Sequence, residues 1–182
     1  MARHKSRKPR PPLSQEQLKE LALSYVGRFA TTRAKLALYL ARKVRERGWA
    51  EERPAQIEAI VERLASLGYV DDAAFALSRS RSLTARGYGE RRVRQSLRAA
   101  GIGEEDAEPA NEHARAEAVE AALHFARRRR LGPFGDGSAD RQQHEKALAA
   151  MIRAGHGFSL AKAILALEPG TKVSIEMLAE KA

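Results

Sequence analysis

Apolar residues return every three to four positions along most of this chain, the period of a helix lying on a core. The first stripe is Leu18, Leu21, Ala22, Tyr25, Val26 and Phe29. Ser14 and Gln17 precede it at capping-box spacing, which lets each side chain satisfy an amide at the helix start. Thr31 or Thr32 opens a second helix along Leu36, Leu40 and Val44. Gly48 stops it, and Trp49 is expected to fold back onto the helix pair. Pro54 suits the first turn of a third helix carrying Ile57, Ile60, Val61, Leu64 and Leu67, closed by Gly68. Asp71 or Asp72 caps a fourth, which buries Phe75, Ala76 and Leu83. Gly87-Tyr88-Gly89 turns the chain into a fifth, with Val93 and Leu97 inward and Gly101-Ile102 as its stop.

The pattern then weakens. Residues 104–112 are acidic and interrupted by Pro109, which predicts a short or frayed helix. A longer helix follows over residues 115–130, with Val119, Ala122, Leu123 and Ala126 inward and four arginines at its end. Residues 131–138 are a glycine-rich loop. A helix over residues 140–154 uses Ala147, Leu148, Met151 and Ile152 and stops at Gly155 and Gly157. Ser159 caps a short last helix through Leu160, Ile164, Leu165 and Leu167, which ends at Pro169-Gly170.

One pattern recurs: a helix stops at glycine and a large apolar residue follows, at Gly48-Trp49, Gly101-Ile102 and Gly157-Phe158. We read three units of about three helices each, burying their apolar faces against neighbours. The expected fold is all-α, with tandem three-helix repeats forming an elongated helical body. The boundaries fall at a disordered basic tail (1–13), repeat 1 (14–69), a basic central repeat 2 (70–112), repeat 3 (113–168) and a C-terminal tail (169–182).

Composition narrows the function. The formal net charge is +10 over 182 residues, which favours an anionic partner. There is no cysteine, hence no disulfide and no thiolate metal site. No apolar run approaches the ~20 residues that span a bilayer, and no signal-peptide segment is visible, so no membrane partner is expected. Catalytic groupings are absent. Asp71-Asp72 are adjacent and do not face each other on a helix. None of the five histidines has the spacing of a helical zinc pair. The loop at 132–138 imitates a phosphate loop, but Ser138 stands where lysine is required. No catalytic residue, metal or cofactor is assigned.

Binding chemistry concentrates between Gly68 and Ile102. Seven arginines there (79, 81, 86, 91, 92, 94 and 98) surround a single acid, Glu90. Arg91, Arg94 and Arg98 recur on one helix face, while Val93 and Leu97 lie on another. Arg79 and Arg86 share a face of the preceding helix, and Arg81 points elsewhere, towards an acid of a neighbouring helix. So many like charges contribute little to stability, and arginine's planar fork suits phosphate or carboxylate. Either a phosphate track or an acidic protein groove fits. The candidate contact residues are Arg79, Arg86, Arg91, Arg92, Arg94, Arg98, Arg127 and Arg128, supported by a core of Phe75, Leu83, Val93 and Leu97.

Three stretches, GYVDDAAFA (68–76), RSR (79–81) and RG-x-G-x-RRVRQSLRAAGI (86–102), resemble the RecX family, regulators of the RecA recombinase. RAKLALYLARKVRERGW (33–49) and LGPFG (131–135) are similar to it as well. The resemblance covers residues 15–167. It implies a non-enzymatic, cytoplasmic, all-helical protein that binds in the groove of the RecA–DNA filament. Non-specific contact with single- and double-stranded DNA is expected with it, and a monomer is expected because a repeat solenoid needs no partner to close its core. It further implies inhibition of strand exchange, ATP hydrolysis and coprotease activity in DNA repair, recombination and the SOS response. The competing reading is an independent helix-turn-helix module that recognises duplex DNA.

Overall fold

A computed structural model of the chain describes residues 11–137 and 140–181. Most of the expected basic tail, residues 1–10, and Ser138 of the loop lie outside these. Among the described residues the structure is all-α, with ten helices and no strand. It divides into two compact units, Met1–Asp72 and Ala73–Ala182.

The first unit holds α1 (Gln15–Val26), α2 (Arg33–Arg47) and α3 (Ile57–Ser66). Leu18, Ala22, Leu36, Leu40, Ile60, Val61, Leu64 and Val70 form its core, with Leu13. Ser14 and Gln17 close the capping box on α1. Thr32 is the N-cap of α2, its hydroxyl accepting from the Lys35 amide at 3.2 Å. Buried Asp72 adds a second cap from far along the chain: its Oδ1 accepts from the Arg33 amide at 2.9 Å. A helix start leaves four amides without intrahelical partners, and these two side chains answer two of them. Trp49 does pack against this core, and its indole N–H donates to the Arg53 carbonyl at 2.7 Å. Pro54 is not in a helix, because α3 begins only at Ile57. The Gln15 side chain clamps the Gln56 backbone, accepting from its N–H at 3.1 Å and donating to its carbonyl at 3.5 Å, so the chain stays non-helical up to that point.

The second unit runs through α4 (Asp72–Thr84, its first residue shared with the first unit), α5 (Glu90–Ala99), α6 (Glu104–Ala116), α7 (Ala118–Arg129), a 3₁₀ turn (Gly132–Phe134), α8 (Arg141–Arg153), α9 (Phe158–Leu165) and α10 (Ile175–Ala179). One core gathers Ala76, Leu83, Val93, Leu97, Ala100, Ile102 and the alanines of α6. Another gathers Val119, Ala122, Phe125, Met151, Leu160 and Ile164 with their neighbours. The second and third helices pair closely in each set: α2 with α3, α5 with α6, α8 with α9. The chain is thus built from all-helical repeats.

Three local expectations need correction. The acidic segment is neither short nor frayed; it is the full helix α6. Pro109 removes one amide, but Ala107, Ala110 and Ala114 put a buried small-residue stripe on one face. Ser80 of α4, fully buried, donates from its hydroxyl to the Ala110 carbonyl at 2.7 Å and pins that turn. The helix expected over residues 115–130 accordingly starts later, at Ala118, after a break at Glu117. Gly157 is not a helix stop; it precedes α9 as N-cap, and Gly155 ends α8. The C-terminal tail adds the short helix α10, which buries Leu178 in the α7–α9 core.

Five helices share one ending. The amide that follows a left-handed residue bonds back to a carbonyl five residues earlier, as Tyr69 to Leu64, Tyr88 to Leu83, Ile102 to Leu97, Leu131 to Ala126 and His156 to Met151. This Schellman geometry needs a left-handed residue just before that amide. Glycine supplies it four times, and Arg130, with φ of 54°, the fifth.

Candidate nucleic-acid interface

The arginines of α4 and α5 separate into two surfaces. The first is a groove of about 360 Å³ whose polar lining includes Arg79 and Arg86 from α4 and the turn after it, Tyr88 from the same turn, and Arg92, Gln95 and Ser96 from α5. Arg79 Nε donates to Ser96 Oγ at 2.9 Å. The Arg86 and Arg92 guanidiniums stand 5.6 and 6.0 Å from the centre of the Tyr88 ring, where the ring's negative face attracts cations. Arg128 reaches in from α7 and donates to the Arg86 carbonyl at 3.1 Å. Among the described residues no carboxylate lies within 4 Å of Arg79, Arg86, Arg92 or Arg128. Their charge therefore faces solvent uncompensated at close range.

Arg91, Arg94, Gln95 and Arg98 form the second surface, a shallower cleft. Here Arg94 is engaged, donating to Glu90 Oε1 at 2.7 Å. The same oxygen takes Arg115 Nε at 3.4 Å, and Arg115 Nη2 reaches Glu108 at 2.9 Å. The hydrogen bond from Arg115 to Glu108, followed by Glu108's charge, holds that guanidinium above its ordinary pKa. Among the described residues no carboxylate lies within 4 Å of Arg91 or Arg98. Arg127 lies over the Phe134 ring at 4.8 Å instead.

The turn that sets the first groove is held from below. Gly89 N–H donates to the Ala154 carbonyl at 3.0 Å, and Arg91 N–H to the Gly155 carbonyl at 3.1 Å. The α8–α9 turn thus supplies the acceptors that no side chain provides at the start of α5. The two backbones touch so closely that a Cβ on Gly89 would collide with the Gly155 carbonyl, and one on Gly155 with the backbone of Arg92. His156, 2% exposed, completes the clamp with Nε2 3.1 Å from the Gly87 carbonyl oxygen. Burial lowers its pKa to about 4, partly opposed by the bond to Gly87. The neutral ring donates from Nε2, since a carbonyl only accepts.

Of the residues expected to support the site, Leu83, Val93 and Leu97 are buried, while Phe75 is half-buried at the edge of the cluster. Arg81 finds no acid: no carboxylate among the described residues is within 4 Å of it, and it is exposed. Sequence reasoning missed Asp72 as the cap of α2, His156 as a clamp and Arg115 as the partner of Glu90. A signal existed for His156, which occupies the register of Ile102 after a glycine stop and so faces a core.

Fold and site together define a helical-repeat protein with an exposed arginine groove on a turn backed by the chain between α8 and α9. Residues 71–110 match the family model described as RecX, second three-helix domain. The chain is 35% identical over 178 residues to the regulatory protein RecX of Myxococcus xanthus, covering 91% of this chain and 94% of that one. It is 34% identical over 143 residues to a regulatory protein RecX of Thermus thermophilus, covering 79% and 84%. The chain belongs to the RecX family of regulatory proteins. A crystal structure of RecX from Lactobacillus salivarius matches in fold, with a TM-score of 0.60 at 19% identity, over 82% of this chain and 93% of that one. A crystal structure of a regulatory protein RecX aligns with the same score at 26% identity, over 82% and 70%.

Proposed function

We propose that this protein regulates the RecA recombinase by binding the RecA–DNA filament. It restrains strand exchange, ATP hydrolysis and coprotease activity without catalysis or a cofactor of its own, acting in DNA repair, recombination and the SOS response. It does so in the cytoplasm as a monomer.

The observation that carries this reading is the groove of Arg79, Arg86 and Arg92 around Tyr88, with Arg128 on the Arg86 carbonyl, none of them within 4 Å of a carboxylate among the described residues. Arginine forks aimed at solvent suit phosphate oxygens, and such contacts orient a protein on DNA without reading sequence. Arg91 and Arg98 supply a second contact, to phosphate or to an acidic protein surface. A sequence-reading helix-turn-helix is disfavoured by Gln95. Its side-chain oxygen, needed for bidentate reading of a base, already accepts from Arg92 Nη1 at 3.0 Å.

The test adds the protein at substoichiometric levels to RecA-driven strand exchange and to DNA-dependent ATP hydrolysis. Both rates are expected to fall. No effect on either sinks the proposal.

A further inference from the structure

A cleft of about 260 Å³ lies between α5 and α6. Leu97, Ile102 and Ala107, all buried, give it an apolar floor. Glu104, Glu108, Asn111 and Arg115 recur along one face of α6 and make one wall. Arg94 and Arg98 of α5 stand on the other. Arg94 and Arg115 meet on one oxygen of Glu90, and Arg115 also holds Glu108, so these side chains are engaged. Arg98 and Glu104 are not: among the described residues neither has an oppositely charged group within 4 Å.

Asn111 sets the chemistry of the cleft. Its Oδ1 is buried and has no hydrogen-bond partner among the described residues. An unpaired buried acceptor weakens a fold, so its place on a cleft wall points to a donor brought by a ligand. A cationic donor is disfavoured, because three guanidiniums line the cleft against two carboxylates. A carboxylate or phosphate has no hydrogen to give. The donor is therefore an uncharged N–H. A nucleobase amine would qualify, but no aromatic ring lines the cleft to stack the base. A peptide amide qualifies as well, and it carries a side chain that can cover the apolar floor.

We propose that the α5–α6 cleft receives an extended peptide segment of a protein partner, with one backbone amide of that segment donating to Asn111 Oδ1. An apolar side chain of the segment rests on Leu97, Ile102 and Ala107, while Arg98 and Glu104 hold side chains of opposite charge beside it. The site shares Arg94 and Arg98 with the second arginine surface and no residue with the groove around Tyr88. It needs neither DNA nor a recombinase filament.

The test selects peptides from a displayed random library on the full-length protein and discards those that also bind Asn111→Leu. The selection is expected to leave a peptide that binds the parent about tenfold more tightly than the variant. In a synthetic copy, methylation of one backbone nitrogen should lower affinity for the parent about tenfold and leave the weak binding to Asn111→Leu unchanged. The substitution replaces an unpaired acceptor by an apolar group of similar size, so its unfolding midpoint should equal or exceed the parent's. Arg79→Ala/Arg86→Ala/Arg92→Ala should bind the peptide as the parent does, which separates failure here from failure of the groove. A library that yields no peptide able to tell the parent from Asn111→Leu overturns the proposal. So does an unfolding midpoint in Asn111→Leu well below the parent's, which would show that the fold itself, by a side chain or a water, pairs Asn111.

Discussion

His156 Nε2 lies 3.1 Å from the carbonyl oxygen of Gly87, which joins the turn after α8 to the turn that opens the arginine groove. Burial keeps the imidazole neutral and holds its pKa down at about 4, outweighing the bond itself, which favours a protonated ring. A free histidine titrates near 6.5, so the unfolded chain binds a proton that the folded chain refuses. The stabilisation is complete above about pH 6.5 and is lost as pH falls towards 4. Its full size is on the order of 3 kcal/mol. Denaturant unfolding measured between pH 7.5 and 4 should show this decline. His156→Leu should be about 1–3 kcal/mol less stable at neutral pH, because it strands a buried carbonyl. It should also lose that part of the pH dependence. An equally steep acid decline in the variant would assign it to other groups.

The glycine pair beneath the groove permits a sharper contrast. Gly89→Ala and Gly155→Ala force a methyl group into backbone, so each is expected to cost more than about 2 kcal/mol. Gly103→Ala meets nothing within 4 Å and has an ordinary backbone angle, so its effect should stay within about 1 kcal/mol. Equilibrium unfolding of the three variants side by side checks the ranking.

Asp72→Ala should cost about 1–3 kcal/mol, since it leaves the Arg33 amide without its acceptor. A loss of amide protection at the start of α2, read by hydrogen exchange, would localise the effect.

Arg130 holds the left-handed position that glycine fills at four equivalent helix ends. Relief of that backbone strain outweighs glycine's entropic cost only narrowly, so Arg130→Gly is expected to raise stability by up to about 1 kcal/mol. Thermal unfolding gives the sign.

How far the fold can be read from sequence depends on the range of each interaction. The Ser14–Gln17 box spans three residues and is plain in sequence. Asp72 meets Arg33 across most of the first unit, and an aspartate beside another looks only like a cap for the helix it begins. Pro54 looks like a helix start because the Gln15–Gln56 clamp that holds the chain out of helix is not local. Pro109 reads as a breaker, yet one missing hydrogen bond is offset by the alanine stripe and by Ser80, whose partner lies thirty residues on. The arginine richness of residues 79–98 is legible in sequence. Its division is not, because the network that occupies Arg94 draws on α6, and Arg128 comes from α7.

The central claim is that the groove of Arg79, Arg86 and Arg92 acts on a RecA–DNA filament. The most direct measurement compares the parent with Arg79→Ala/Arg86→Ala/Arg92→Ala in RecA strand exchange, at equal substoichiometric concentration and equal helicity. The account predicts that the parent slows exchange and the triple variant does not, with the salt dependence of DNA binding reduced by a slope of about 2–3. A parent without effect, or a variant that slows exchange as strongly as the parent, would contradict it.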